Sequence, residues 1–591
     1  MPANPVEQQS GLPGFNLPLN YVPPGWLNVF RPRLLYPHAL QETEESTKVH
    51  REILMMRVMN AITEKEEWNK KIFHEEIVSK WREEIFNSGQ DISPKMMDYI
   101  VKELQWKSKL IETDGFITAF DKGVVKSDTA ISEELRKALA DAVAPLEDVP
   151  DDQKDYHPGS DEKVIDLVHP SLFPLIYGRT RILRNESVTL ENCIGTTGQG
   201  ELLPAFSESS DDRWMTGVEK EFYSCKFQWL PCNVELSATD SAEPECRIVS
   251  YINNLHPAQH RTLYGVIEKI ISCAIPLWNR SLAGEGSKNR ILYDVVEYDE
   301  ESLGPPPEQE PNEPEDDFDE RYSAWELSSK IIMPEPEEFK EHKTARESPS
   351  LMNFGKTGLQ VIVKLANIEL SPEKPEYDGG SWHIEGQLNE HICATAIYYY
   401  DSENITESTL AFRQRTNGGA LERRVHYPQD RHEFLQVIYG LDADVTGTSI
   451  EAQITQELGG VICRQGRLLT FPNVVQHRVA PFSLDDRSRP GHRKILALFL
   501  VDPHIKIIST ANVPPQQEDW GKEKEDLTQE LLSKRLPAEL GNMVCDEGLL
   551  QPLMTMEEAK KFRLELMAER AVDSQDQNNT FEKYSFNLCE H

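Results

Sequence analysis

Past Lys356 the chain is patterned as short strands between turns, and this constrains its fold more than any other feature. Leu359 to Leu370, Ile392 to Tyr400, Gly466 to Phe471, Gln476 to Phe482 and Arg493 to Val501 read as strands between turn signals. A β-rich core is therefore expected over this part of the chain.

The region before it is patterned differently. Residues 42–148 read as helical. Ser93-Pro94 has the form of an N-cap followed by proline at the first helical position, and Met97, Val101 and Leu104 then fall on one face. From about Asp161, Phe227–Leu230 and Arg247–Ile252 read as strands. A helix follows with Leu263, Val266, Ile267, Ile270, Ile271 and Ala274 on one side, suited to cover one face of a sheet. Residues 299–320 carry eleven Asp or Glu, five Pro and no Lys or Arg, so the segment repels itself and buries no core. It reads as a solvated insert within a domain, with an acidic docking element as the functional alternative. Thr555 and Glu558 form a capping-box pattern that opens a helix running toward Glu569.

Composition removes whole classes of function. The net charge is −37, from 99 acidic and 62 basic residues, which repels nucleic acid and anionic membranes. Nine cysteines without a CxxC pair fit reduced thiols in the cytosol or nucleus. Met1 to Pro24 lacks the basic-then-apolar pattern of a secretion signal, and no apolar run is long enough to span a bilayer.

One constellation carries chemistry. In Gly379-Gly380-Ser381-Trp382-His383-Ile384-Glu385, residues i and i+2 of a strand share a face, so His383 and Glu385 project together and Ile384 points away. An imidazole and a carboxylate are two thirds of a facial metal triad. His477 is the candidate third ligand: it stands on a strand that follows the turn at Gly466 and the apolar run to Phe471, with Arg478 facing outward. A cosubstrate dicarboxylate needs a cation, and Arg493 opens the strand Arg493–Leu500. Tyr399, at the end of Thr395–Tyr399, offers a hydroxyl to the same carboxylate. The pair HxE alone is weak. The ordered set of HxE, Tyr-Tyr strand, glycine turn, strand-borne His and strand-borne Arg is what gives it weight.

Residues 359–501 resemble the double-stranded β-helix of the prolyl-hydroxylase branch of 2-oxoglutarate oxygenases. Leu359-Gln360-Val361, Thr395-Ala396-Ile397-Tyr398-Tyr399 and Gly466 to Val479 carry the likeness. The resemblance implies iron(II) held by His383, Glu385 and His477, with Tyr399 and Arg493 as ligands of the cosubstrate 2-oxoglutarate. Glu385 stands where most relatives have Asp. The interval from His477 to Arg493 is longer than usual, and Arg487 lies nearer the familiar offset but within a turn. The whole chain also resembles a largely fungal family catalogued as a domain of unknown function (number four-two-four-six). His169-Pro170-Ser171-Leu172-Phe173-Pro174-Leu175, Phe227–Pro231 and Ile248–Pro257 carry that likeness.

The expectation is an α+β chain. A helical N-terminal domain spans 27–150, a jelly-roll oxygenase domain spans 161–520 with an acidic disordered insert at 299–320, and a helical extension spans 521–591. The substrate, a small molecule or a protein, is not legible. Two other functions fit the pattern: a cupin-like metalloenzyme without 2-oxoglutarate, and a non-catalytic interaction protein on a β-helix scaffold. His391, His492 and the acidic group Asp401, Glu403 and Glu407 are weighed as accessory features, each more simply a local packing or solvated residue.

Overall fold

The computed structural model describes residues 11–21, 36–37, 39, 47–206, 222–237, 245–283, 289–341, 350–428, 431–443, 449–533 and 553–587. The main elements before the central region are α1 (His50–Thr63), α2 (Glu75–Phe86), α3 (Pro94–Asp114), β1 (Ile117–Phe120), β2 (Val124–Ser127) and α4 (Glu133–Glu147). Ser93 caps α3, its hydroxyl accepting from Met96 N at 3.1 Å with Pro94 at the first helical position, as the sequence predicts. The stretch expected to be wholly helical is interrupted by β1 and β2, a hairpin turning at Gly123 with φ of +80°. Both four-residue runs carry β-branched residues and are too short for a helix, and a sheet edge lies within reach.

That sheet has nine strands. Its further members are β3 (Val164–Val168), β4 (Cys232–Ser237), β5 (Glu245–Ile248), β6 (Leu359–Leu370), β7 (Ile392–Glu403), β10 (Leu468–Pro472) and β12 (Gly491–Val501). The order is β5-β4-β6-β12-β7-β10-β2-β1, with β3 also pairing β6. A second, three-stranded sheet comprises β8 (Thr409–Arg415), β9 (Thr455–Ile462) and β11 (Gln476–Val479), in the order β9-β8-β11. Both sheets are antiparallel and neither closes into a barrel.

Alternation along the central strands sorts side chains into two cores. Val361, Val363, Leu365, Ala394, Ala396, Tyr398, Leu496 and Leu498 face helix α5 (Arg261–Ala283), whose Ile267, Ile270, Ile271, Ala274 and Trp278 are fully buried against them. Ile362, Ile397, Tyr399, Ala497 and Phe499 face the other way. There they share a core with Leu410, Phe412 and Val461 of the second sheet, and Phe412 meets Phe471 edge-on at 5.1 Å. The site described below lies in this inter-sheet space.

The acidic insert departs from its expectation. Within it, α6 (Glu315–Glu326) is helical, although none of its residues is buried. Glu315, Asp316 and Asp317 occupy its first turn, where the helix dipole favours anions, and Arg321 pairs with Glu313 at 2.7 Å. Local electrostatics thus order a segment that has no core of its own.

Among the described residues past 517 the chain forms two helices, α7 (Glu518–Ser533) and α8 (Met556–Glu582), followed by a strand, Lys583–Asn587. The Thr555/Glu558 box forms, with Glu558 N donating to Thr555 Oγ1 at 3.1 Å and Thr555 N to Glu558 Oε2 at 3.3 Å. Helix α8 continues past Glu569 because further contacts hold it. Arg563 makes a bidentate pair with Asp155, Arg570 lies 3.8 Å over the Trp229 ring, and Phe581 is buried beside Ile384.

Candidate metal centre

Two glycines deliver the His-x-Glu segment to β11. Gly379 has φ of +89°, and a Cβ there would stand 2.8 Å from Val479 O. Gly386, with φ of +70°, turns the chain away after Glu385. Between them only His383 pairs in strand fashion: its N–H donates to His477 O at 3.1 Å, and His477 N–H returns a bond to His383 O at 3.0 Å. The full strand expected here is reduced to this one bridge, yet the alternation holds. Trp382 faces outward between the guanidinium groups of Arg413 and Arg478, at 4.8 and 4.4 Å, and Ile384 is buried against Phe581. His383 and Glu385 turn to the opposite side.

There the three candidate ligands converge. One ligand atom from each of His383, Glu385 and His477 lies within 4.8 Å of the others. Glu385 Oε1 stands 3.3 Å from His477 Nε2 and 3.9 Å from His383 Nε2, and the two imidazole rings are 4.4 Å apart. His477 is 3% exposed and Glu385 14%, while His383 keeps 38% of its side chain accessible. His383 Nδ1 donates to Ser381 O at 2.8 Å, which leaves Nε2 as the lone-pair nitrogen facing Glu385. Asn473 fixes the Glu385 backbone from both sides, its Oδ1 accepting from Glu385 N and its Nδ2 donating to Glu385 O, each at 2.9 Å.

The electrostatics favour the ligand forms. Burial, then the neighbouring His477 charge, pull the His383 imidazole down to about 4, so it is neutral near pH 7. Burial alone would raise the Glu385 carboxyl. The hydrogen bond and charge of His477, followed by the His383 charge, reverse this and hold it at about 2.

Arg493 is 2% exposed. It pairs with Ile368 across the sheet, on the same face as Tyr399 and Ala497. Its guanidinium lies 5.6 Å from the Tyr399 ring and 5.1 Å from Phe482, and Nη1 donates to Ser408 Oγ at 2.6 Å. Among the described residues no carboxylate pairs with it, and its Nε is buried without a partner. Thr395 Oγ1 and His477 Nδ1 are likewise buried and unpaired. Arg487, the nearer arginine in sequence, is 62% exposed and pairs with Glu376 at 2.7 Å.

Other singled-out residues lie elsewhere. His492 and Lys494 both pair with Asp401, at 2.9 and 3.4 Å, on a face away from the inter-sheet space. Sequence reasoning missed Asn473, which clamps the Glu385 backbone, and Ser408, which holds Arg493, because both reach their partners only through tertiary pairing.

A second His/Asp cluster, His157, Asp166 and His169, also gathers ligand atoms within 4.8 Å. His169 Nδ1 accepts from Ser171 N–H at 3.2 Å, so in the neutral ring Nε2 carries the proton rather than a free lone pair. Arg563 Nη1 stands 3.4 Å from Asp166 Oδ2. A cation would have to displace both contacts, and the cluster is a polar lock between β3 and α8.

No curated protein matches the chain. The crystal structure of IDO from Bacillus thuringiensis aligns over 30% of this chain and 68% of that one, at 11% identity and a TM-score of 0.14. No helix among the described residues is long and apolar enough to cross a membrane. Residues 94–524 match the family model described as "Protein of unknown function (DUF4246)", and residues 12–84 match "Domain of unknown function DUF4246, N-terminal". The chain belongs to the DUF4246 family.

Proposed function

We propose that this protein is an iron(II)- and 2-oxoglutarate-dependent oxygenase, a hydroxylase by reaction class, on a double-stranded β-helix. The observation that carries this reading is a combination on one inner surface. A convergent His383–Glu385–His477 set lies in the same space as a buried arginine, Arg493, that has no carboxylate partner among the described residues. Two imidazoles and a carboxylate on one side of a metal leave positions open for a chelating cosubstrate and dioxygen. A buried guanidinium with an orphaned nitrogen is costly to maintain, and a carboxylate ligand removes that cost. The strand order supports the scaffold. The run β6-β12-β7-β10 faces the set formed by the His383 segment, β11, β8 and β9, which accords with an eight-stranded double-sheet jelly roll.

When bound, iron with 2-oxoglutarate supplies the oxidising chemistry, coupling cosubstrate decarboxylation to oxygen transfer into a substrate C–H bond. The chain holds and shields. His383 and His477 present nitrogens and Glu385 an oxygen to the metal. Ser381 O fixes the His383 tautomer, and Asn473 fixes the Glu385 backbone. Arg493, with Ser408 and the Tyr399 ring beside it, receives the far carboxylate of 2-oxoglutarate. Phe412 and Phe471 pack against His477 and keep water from that side.

Anaerobic titration with iron(II), then with 2-oxoglutarate, tests the reading, followed by a succinate assay in air. Stoichiometric binding of both and slow succinate release are expected. Metal binding without 2-oxoglutarate binding would favour a cupin-like enzyme, and no binding of either would leave an interaction scaffold.

A further inference from the structure

The segment from Gly379 to Gly386 carries two of the three ligands on little backbone support. One strand-like pair, His383 with His477, and a bond from Gly380 N–H to Val479 O tie it to β11. Glycines with positive φ stand at both ends, so neither end stiffens it. Asn473 holds the Glu385 end. The His383 end is held from the outward face, by helix α8.

The side chains that alternate with the ligands face that helix. Trp382 and Ile384 flank His383. Gln476 and Arg413, a cross-strand pair, stand beside His477 and its partner Phe412. Both Gln476 and Arg413 are buried. The amide of Asn578, on α8, bridges the two ligand-bearing segments. Its Nδ2 donates to Trp382 O at 3.2 Å, on the residue immediately before His383. Its Oδ1 accepts from Gln476 Nε2 at 2.7 Å, on the residue immediately before His477, and from Arg413 Nη2 at 3.3 Å.

Arg413 forces the orientation of both amides, because a guanidinium only donates. Its Nε donates to Gln476 Oε1 at 2.7 Å, which leaves Gln476 Nε2 to donate and Asn578 Oδ1 to accept. Asn578 Nδ2 is then the donor that meets the Trp382 carbonyl. Helix α8 closes the network at its end. Glu582 Oε1 stands 2.7 Å from Arg413 Nη1, Phe581 packs on Ile384, and Glu582 O accepts from Ile454 N–H at 2.8 Å, just before β9.

We infer that Asn578 is a positioning residue for the metal centre: its bridge between Trp382 and Gln476 sets the spacing of His383 and His477, so that metal binding and the seating of the C-terminal end of α8 are coupled. The inference rests on the metal centre proposed above and not on the cosubstrate. A metal holds its ligands within narrow limits of distance and angle, so a contact that fixes where the ligand strands stand contributes to affinity without touching the ion. Coupling of this kind is reciprocal. If the seated helix favours the metal, the metal favours the seated helix by the same factor.

The test uses the full-length protein and manganese(II) alone, with affinity read by competition with a chelator. Asn578→Ala deletes both arms of the bridge. Asn578→Asp keeps an acceptor for Gln476 and Arg413 but sets a carboxylate against Trp382 O, so it loses only the arm to the His383 segment. Both variants should keep native circular dichroism and bind manganese about tenfold or more weakly. In the parent, manganese should slow amide exchange across residues 575–582 by about threefold or more. Residues 556–566, held at the other end of α8 by Arg563 on Asp155, should exchange as before. A contact that only stabilises the fold gives a different pattern: a lower melting temperature in Asn578→Ala at parental manganese affinity. Affinity within about twofold of the parent in either variant, or no slowing at residues 575–582, overturns the proposal. If Asn578→Ala does not fold, Asn578→Asp and exchange in the parent decide. A parent that binds no manganese sinks the metal centre and the positioning role together, whereas a parent that binds it and is matched by both variants sinks the positioning role alone.

Discussion

Replacing Arg493 by methionine should move cosubstrate binding and protein stability in opposite directions. Arg493 is 2% exposed, with an unpaired Nε and no carboxylate partner among the described residues, so without ligand the fold carries a poorly compensated buried charge. Methionine keeps most of the contact with Tyr399 and Phe482 and removes the charge, at the loss of one hydrogen bond to Ser408. Replacing a buried charge by an apolar group of similar volume is often neutral or stabilising, so the unliganded variant should melt at the parent's temperature or above it. With 2-oxoglutarate the sign reverses. A buried carboxylate that loses its cation costs about 2–5 kcal/mol, on the order of 100-fold or more in affinity. Arg487→Ala removes only an exposed pair with Glu376 and should leave 2-oxoglutarate affinity unchanged. Anaerobic calorimetry of 2-oxoglutarate into iron-loaded parent, Arg493→Met and Arg487→Ala, beside thermal melts without ligand, reads both effects. Undiminished 2-oxoglutarate affinity in Arg493→Met, or loss of it in Arg487→Ala, would refute the reasoning.

Further outcomes follow from the same geometry. His383→Ala and His477→Ala should each abolish stoichiometric iron binding while circular dichroism stays native; iron retained at parental affinity in either variant would mean the ligands are assigned wrongly. Asn473→Ala frees the Glu385 backbone and should weaken iron binding by about 10- to 100-fold without removing a ligand, read by competition with a chelator, and an unchanged affinity would exclude a positioning role. Acid should unfold the protein partly through Glu103. Burial tends to raise this carboxyl, but Arg290 and then Lys107 hold it at about 2 against an ordinary 4.5, so its contribution is complete above about pH 4.5 and is lost as pH falls toward 2. The loss is on the order of 3 kcal/mol; urea melts of the parent and Glu103→Gln between pH 7 and 3 check it, and parallel pH slopes would contradict it. Deleting residues 304–326, none of them buried, should leave iron and 2-oxoglutarate affinities unchanged, and a weakened site would show that the insert contributes to it.

Local patterning was enough for much of this molecule. The Ser93-Pro94 start of α3, the apolar face of α5, the Thr555/Glu558 box and the five strands after Lys356 are short-range signals, set by capping, by the helical repeat and by strand alternation. The same alternation put His383 with Glu385, and Arg493 with Ala497 and Phe499, on one side. The sequence did not reveal that residues 117–127 leave a helical region to extend the central sheet, because a four-residue run chooses its state by the edge it meets. Nor did it reveal the order in α6, which rests on the helix dipole, the Arg321–Glu313 pair and contacts such as Trp325 Nε1–H donating to Gly304 O rather than on burial in a core. The metal-centre geometry, the clamp of Asn473 on Glu385 and the isolation of the Arg493 charge are decided by tertiary pairing alone. They depend on which strand lies opposite which, a long-range choice made by the packing of two cores, and no residue's immediate neighbours encode it.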